Sequence, residues 1–401
     1  MKHTMDSVAR QTESAPAAST GRAGRLLSLD ALRGFNMFCL LVADRIVRAL
    51  PEALPENTWV EALREQFSHP PWEGFTFYDL IFPLFEFLIG ASVFLSVTKR
   101  LKQGQTKGQV LRHALLRVAI LVFLGTWVNG NLLTYDPSRF QMTYSVLQML
   151  AIAYLIAVLF VLFSGLRGQL IGLATLLIGY WALQTFVPLP AEPRTYVDRR
   201  GNTVEAPAHQ TNVYVRGGVF SYWLDEQVLG PDDRWRVGWI LQSMTHGCSA
   251  LLGVFAARLL RSGASVWITA LRLALLGVAS LAVGWAWDMQ FPVIKNLWTS
   301  SYVLVAGGWS FLLLALFSVL VDGFRFHRLA FPLLVVGANS IVAYMMATVF
   351  RPVRHQAAEI MVGGLQQYTG DWQGVILAAT AGLFGWLFLL LLYRTNTLVR
   401  I

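Results

Sequence analysis

Cysteine is scarce in this 401-residue chain: Cys39 and Cys248 are its two, and each lies inside an apolar run, which argues against a disulfide framework or a thiolate metal site. Charge is scarce as well. At 14% charged and 55% hydrophobic residues, with a mean hydropathy of +0.51, the composition is too apolar for a soluble domain of this length. Also missing are a Gly-rich phosphate loop, a GxSxG elbow, a His/Cys cluster at metal-ligand spacing and a convincing inverted repeat of the transporter kind. The net charge of +9 does not mark a nucleic-acid binder, because the basic residues fall mainly in short loops between apolar segments.

What remains is an all-α, polytopic transmembrane bundle. Residues 1–25 are Ser, Thr, Ala, Gly and Gln with scattered charge and lack the apolar core of a secretory signal, so a disordered cytoplasmic tail is expected. Residues 26–401 then form the membrane domain. Apolar runs place spans near 28–47, 75–97, 111–129, 142–163, 169–187, 237–260, 266–287, 299–321, 330–350 and 374–393, about ten in all. An even count puts both termini in the cytoplasm. The inner short loops then hold Lys99, Arg100, Lys102, Lys107, Arg167, Arg261, Arg325 and Arg328, and the outer ones chiefly Arg139, Lys295, Arg351 and Arg354. The long segment 188–236, rich in Pro, Arg, Asp, Trp and Tyr, falls outside.

An ionisable group deep in a membrane helix costs about 2.5–3.5 kcal/mol on insertion scales, so each one needs a partner or a purpose. Asp30, Arg33 and Asp44 of the first span lie within roughly 60° of one another at 100° per residue, a polar stripe facing the bundle. Asp79 and Glu86 share one face of the second, with Pro83 between them and Gly90 admitting a close neighbour. Asp79 alternatively caps its helix, and Glu86 alternatively pairs with an arginine. His69, just outside the second span, is the best acid–base or nucleophile candidate, since imidazole titrates near neutral pH. Its rival is His246, inside an apolar span; His3 and His209 lie in polar, mobile segments. Arg117, with Arg112, Arg33 and Lys102, can form a basic mouth for phosphate on the cytoplasmic side; the alternative is snorkelling to headgroups.

The run Ser28-Leu29-Asp30-Ala31-Leu32-Arg33-Gly34-Phe35, followed by His69-Pro70-Pro71-Trp72-Glu73-Gly74-Phe75-Thr76-Phe77-Tyr78-Asp79-Leu80-Ile81-Phe82-Pro83, resembles the heparan-alpha-glucosaminide N-acetyltransferase family and its bacterial relatives. Residues 292–302, with Lys295, Leu297 and Trp298, look like the family's lysine-leucine-tryptophan loop, and Gly337-Ala338-Asn339-Ser340-Ile341 like its asparagine-serine helix. The resemblance runs from about residue 26 to the end.

It implies a membrane enzyme that takes acetyl from cytoplasmic acetyl-CoA, as co-substrate, and delivers it to the amino group of an amino sugar or related glycan on the other face. The implied location is the inner membrane of a bacterium, with lipid and possible homodimer partners and no nucleic acid. His69 matches the family's active-site histidine, acting as base or acyl carrier. Asp44 corresponds to a family asparagine and is expected to orient that imidazole. Asp79 completes the catalytic set, and Arg33, Arg117, Lys295 and Asn339 are expected toward the donor, with Lys295, Asn339 or backbone donors as partners of the thioester oxygen. The sequence departs from the family where Met149 follows Leu147-Gln148 in place of a frequent Arg, and where Glu86 replaces a usually apolar residue. Two other readings fit the same polar residues: a transporter of a small polar solute, and a relative with a degenerate site.

Overall fold

The computed structural model describes residues 26–129, 145–192, 194–197, 203–206, 208–229 and 238–398, so the expected N-terminal tail, Arg139 and parts of the segment 188–236 lie outside the described residues. Where charges thin out, the chain forms long helices, because without water each backbone N–H and C=O finds its partner within its own helix. Helix α1 (Leu27–Phe38) runs through a π-helical turn (Cys39–Ala43) into α2 (Asp44–Ala53). A short α3 (Thr58–Gln66) follows, its first turn held by the Asn57 side chain, which accepts from the N–H groups of Trp59 and Val60. Four long helices come next: α4 (Ile81–Lys102), entered through a 3₁₀ turn (Phe77–Leu80), α5 (Lys107–Asn129), α6 (Val146–Phe163) and α7 (Leu166–Phe186).

A two-stranded antiparallel ribbon, β1 (Arg194–Val197) and β2 (Thr203–Ala206), with Arg194 opposite Ala206, and the short α8 (Phe220–Leu229) interrupt the helical series. It resumes with α9 (Trp239–Leu260), α10 (Val266–Asp288) and α11 (Ser300–Phe317), the last continuing through a second π-helical turn (Ser318–Gly323). Helices α12 (His327–Ala338) and α13 (Ser340–Ala347) meet at Asn339 with a 76° bend. The amphipathic α14 (Arg351–Val362), the short α15 (Gln366–Thr369) and α16 (Gln373–Arg394) complete the fold.

Among the described residues eight helical stretches are long and apolar enough to cross a membrane, or nine with the bent pair taken as one span. The expectation of about ten is met by adding the α1–α2 helix. Asp30, Arg33, Asp44, Arg45 and Arg48 give that helix too many charges to pass as a span on composition. The fold class expected from the sequence, an all-α polytopic bundle, holds.

The π turn corrects one expectation. It widens the repeat for one turn, so residues before and after it no longer share the 3.6-residue register. Asp30 and Arg33 therefore line one cavity while Asp44 lines another, and the predicted polar stripe is split.

Helices α4 and α9 form the centre, with 67% and 78% of their spans buried against 22% for α10 and 17% for α7, whose large side chains face outward. The two central helices touch backbone to backbone. A Cβ on Gly90 would sit 1.8 Å from the Ala250 carbonyl oxygen, and one on Gly253 would sit 1.8 Å from that of Phe87. Gly90 thus admits the close neighbour expected of it. The start of α9 is held by Asp225 of α8, whose carboxylate accepts from the N–H groups of Trp239 (2.6 Å) and Ile240 (3.1 Å). His209 is buried against Glu226 at 3.2 Å, not in the polar mobile segment expected of it.

Candidate active site

The 3₁₀ turn ahead of α4 builds the first half of the site. Thr76 begins it, its hydroxyl donating to the Ser68 carbonyl at 2.6 Å, and the Asp79 carboxylate folds back on the turn's own start, where Oδ2 accepts from Thr76 N at 3.2 Å. The other oxygen, Oδ1, lies 2.6 Å from Nδ1 of His69. A carboxylate only accepts, so the imidazole carries its proton on Nδ1 and leaves Nε2 as the basic nitrogen. Asp79 is fully buried, whereas the His69 side chain is 48% exposed, so the fixed group is covered and the working group is accessible. Asp79 is both the helix cap that the sequence offered as its alternative role and the histidine's partner, a place that the sequence reading gave to Asp44.

Lys295 arrives from the loop between α10 and α11. Its Nζ lies 3.2 Å from Asp79 Oδ1 and 3.2 and 3.3 Å from the two ring nitrogens of His69. Burial holds this ammonium below the ordinary lysine range, while Asp79 pulls the other way. The loop is tied to the histidine strand by the Gly74 N–H, which donates to the Val293 carbonyl at 2.9 Å, with Gly74 at φ +119°. Tyr302 secures the same turn, its hydroxyl donating to the Asp79 carbonyl at 2.7 Å.

Three residues beyond Lys295 the same loop places Trp298 on a second histidine. Trp298 is in the left-handed region at φ 51°, and its ring centroid is 3.9 Å from that of His246. Its indole N–H donates to Ser249 Oγ at 3.0 Å. Nδ1 of His246 lies 2.6 Å from Oε1 of Glu86, with both side chains essentially out of reach of solvent. Glu86 therefore pairs with a histidine, not with the arginine that one of its two sequence readings gave it.

Two cavities open on this machinery. One, of about 410 Å³, is lined by His69, Tyr78, Phe82, His246, Lys295 and Trp298 among others. The second, of about 490 Å³, is lined by Asp30, Arg33, Lys99, Arg117, Tyr154 and Arg261 together with apolar side chains. Phe85 and Tyr344 line both cavities. Along the Phe77–Lys102 span the first cavity touches residues 78–85 and the second residues 85–99, so the two lie toward opposite ends of the bundle.

The structure thus brings His69, Asp79 and Lys295 together, and separately Arg33 and Arg117. Arg33 donates to Asp30 at 2.9 Å and Ser92 at 2.6 Å, and Arg117 lies over the Tyr154 ring at 5.1 Å. Lys102 and Arg112, expected in the same mouth, are exposed and do not line the cavity; Lys99 and Arg261 stand there in their place. Asp44 does not reach His69. Its carboxylate pairs with Arg48 at 2.7 Å and lines a separate cavity with Arg45 and Tyr78, because the π turn rotates it away. Tyr78 intervenes, its ring 5.1 Å from that of His69 and 5.7 Å from the Arg48 guanidinium. Asn339 is buried at the α12–α13 bend and donates to the Thr397 carbonyl at 3.2 Å, while its neighbours Ala338 and Ser340 line the basic cavity. The sequence named His246 and Glu86 singly. Their pairing spans 160 residues, and only the shared rarity of an ionisable group in an apolar span pointed to it.

Comparison with known proteins bears on this geometry. Residues 25–197, which hold Arg33, His69, Asp79, Glu86 and Arg117, match the family model described as heparan-alpha-glucosaminide N-acetyltransferase, catalytic. The chain is 29% identical over 333 residues to the heparan-alpha-glucosaminide N-acetyltransferase of Homo sapiens, covering 71% of this chain and 49% of that one. To the Mus musculus protein of the same name it is 27% identical over 328 residues, covering 70% and 48%. The chain spans about half the length of the curated relatives it matches. Through the region that holds His69 and Asp79, the chain is similar to the heparan-alpha-glucosaminide N-acetyltransferase family.

Proposed function

We propose that this integral membrane protein transfers acetyl from acetyl-CoA, entering through the basic cavity, to the amino group of an amino sugar or related glycan bound in the cavity of His69. The observation that carries this reading is the meeting of the two cavities at Phe85 and Tyr344, with guanidinium groups in one and a His–Asp pair in the other. Arg33, Lys99, Arg117 and Arg261 suit the phosphates of CoA, for which guanidinium is the preferred partner. The apolar remainder of that cavity suits the pantetheine arm, which would carry the thioester toward Phe85. With Lys99 and Arg261, which belong to the basic short loops, lining the basic cavity, we infer that this cavity faces the cytoplasm and His69 the outer side.

An amino group attacks a thioester only when unprotonated. Nε2 of His69 takes the proton, Asp79 holds the ring and stabilises the resulting cation, and general-base help of this kind contributes about 10²–10⁴-fold in rate. Lys295 is placed to donate to the oxygen that becomes negative as the thioester carbon turns tetrahedral. Asp44 contributes at one remove by holding Arg48 beside Tyr78, and Asn339 by fixing the bend beside the donor cavity. Two cavities that meet favour direct transfer over an acetyl-imidazole carrier, since both substrates reach one point.

The test is a screen of amino sugars against the purified full-length chain with labelled acetyl-CoA. Acetylation of an amine that falls about 10²-fold or more in His69→Ala is the expected result. Undiminished transfer by His69→Ala, or solute uptake into liposomes without acetyl-CoA and with no acetylation, would overturn the proposal.

A further inference from the structure

The base reading leaves a second histidine–carboxylate pair unused. His246 and Glu86 face each other at 2.6 Å in the centre of the bundle, on the two helices locked together by Gly90 and Gly253. Oε2 of Glu86 is buried and makes no hydrogen bond of ordinary geometry, with the Ser249 hydroxyl as its polar neighbour, so the carboxyl has room to hold a proton on that oxygen. His246 lines the His69 cavity, and Glu86 adjoins Phe85, where that cavity meets the basic one. With Nδ1 taken by Glu86, Nε2 is the ring nitrogen left for a ligand.

The chemistry at that junction has a need this pair meets. As the C–N bond forms and the C–S bond breaks, the electron pair goes to sulfur. A thiolate produced between apolar helices is a charge without solvent, and it would have to withdraw past Phe85 and Tyr344. We propose that His246, held by Glu86, donates the proton that turns the departing CoA sulfur into a thiol. The proposal rests on the acetyl-CoA reading above.

The step balances. The attacking amine gives a proton to Nε2 of His69, His246 Nε2 gives one to sulfur, and the products are the acetamide and CoA thiol. His69 then returns its proton to the His246–Glu86 pair within the cavity they share. Glu86 passes its proton to Nδ1, or accepts the one there, as His246 discharges and recharges. The other ionisable groups facing this pair are Cys248 on α9, Tyr344 on α13, Tyr78 ahead of α4, Tyr302 behind Trp298, and Lys295 across the cavity.

A general acid works protonated and a general base unprotonated, so the alkaline limb of the kcat profile belongs to the His246–Glu86 pair, which titrates as one unit, and the acid limb to the base that takes the amine's proton. The experiment compares purified wild type with His246→Gln and with Glu86→Gln, which keeps the carboxyl's shape. Read out are kcat and KM for the amine from pH 5.5 to 9.5, thiol release, and acetyl-CoA binding by calorimetry. Expected is a fall of about 100-fold in kcat for His246→Gln, with acetyl-CoA affinity kept and the alkaline limb gone. Glu86→Gln is expected to lose about tenfold in kcat with binding intact. A variant that binds acetyl-CoA normally yet keeps wild-type kcat or its alkaline limb overturns the role of His246. So does a loss of rate that is equal at every pH and accompanied by lost binding in both variants. A wild-type chain that transfers no acetyl overturns the reading beneath it, an outcome distinct from the other two.

Discussion

Replacing Asp79 by Asn changes almost no volume and removes one charge from a group that makes four contacts. The carboxylate receives His69 Nδ1 at 2.6 Å, the Thr76 N–H at 3.2 Å and the Lys295 ammonium at 3.2 Å, and the Thr76 hydroxyl oxygen is the fourth neighbour. An amide reproduces one acceptor. It either turns its NH₂ toward the Thr76 N–H or turns it toward His69, in which case the ring must flip its proton to Nε2 and lose its basic nitrogen. A hydrogen bond to a charged group contributes about 1.5–3 kcal/mol, and at about 1.4 kcal/mol per decade its loss lowers kcat by about ten- to a hundredfold. Because the buried anion does not touch a substrate, KM for acetyl-CoA should hold. The assay is steady-state transfer of labelled acetyl by purified Asp79→Asn, with CoA affinity measured separately. A folded variant with kcat within about twofold of wild type would refute the claim that this carboxylate sets the tautomer of His69.

Arg117→Ala removes a guanidinium from the basic cavity, and calorimetry should find acetyl-CoA binding about ten- to a hundredfold weaker; an unchanged Kd removes Arg117 from the donor site. Gly90→Ala puts a methyl 1.8 Å from the Ala250 carbonyl, where a C···O contact needs about 3.3 Å, so α4 and α9 must part by more than about 1 Å. Overpacking of this kind costs about 1–3 kcal/mol or more, visible as a lower unfolding temperature in detergent, and an unshifted transition would contradict the crossing described. Lys295, held by burial below the ordinary lysine value of 10.5, exposes a larger fraction of free amine at pH 9 than surface lysines do. Acylation followed by peptide mass spectrometry should therefore show its labelling rising at lower pH than theirs once each site is normalised to its own plateau, and coincident profiles would count against the effect.

Much of this was legible in the chain before folding. Apolar runs locate the long helices to within a few residues, since lipid leaves the backbone no alternative to the helix. His69 and Asp79 are each singled out by the sequence, but not as a pair: they sit ten residues apart and meet through a local turn, whereas the sequence reading gave the imidazole to Asp44. Asp44 shows where such reading fails: its expected face follows from a uniform 100° step, and a π-helical turn over Cys39–Ala43 leaves no mark in composition. The bend at Asn339 is similarly silent, since the residues around it are as apolar as any span. Lys295 and Trp298 were visible as a motif, but not that one loop ends on two different imidazoles, which takes the whole bundle to arrange.

The shared wall of Phe85 and Tyr344 has a consequence for the membrane itself. A bilayer that stores energy as an ion gradient tolerates a protein hollowed from both sides only while no continuous file of water joins the hollows. Two aromatic side chains are the septum between them. Whatever passes between the cavities must seal the gap as it opens it, so the permeant chain is also the stopper. A small residue at either position would therefore be expected to raise proton or ion leakage through liposomes holding the protein, as well as to alter any transfer between the cavities.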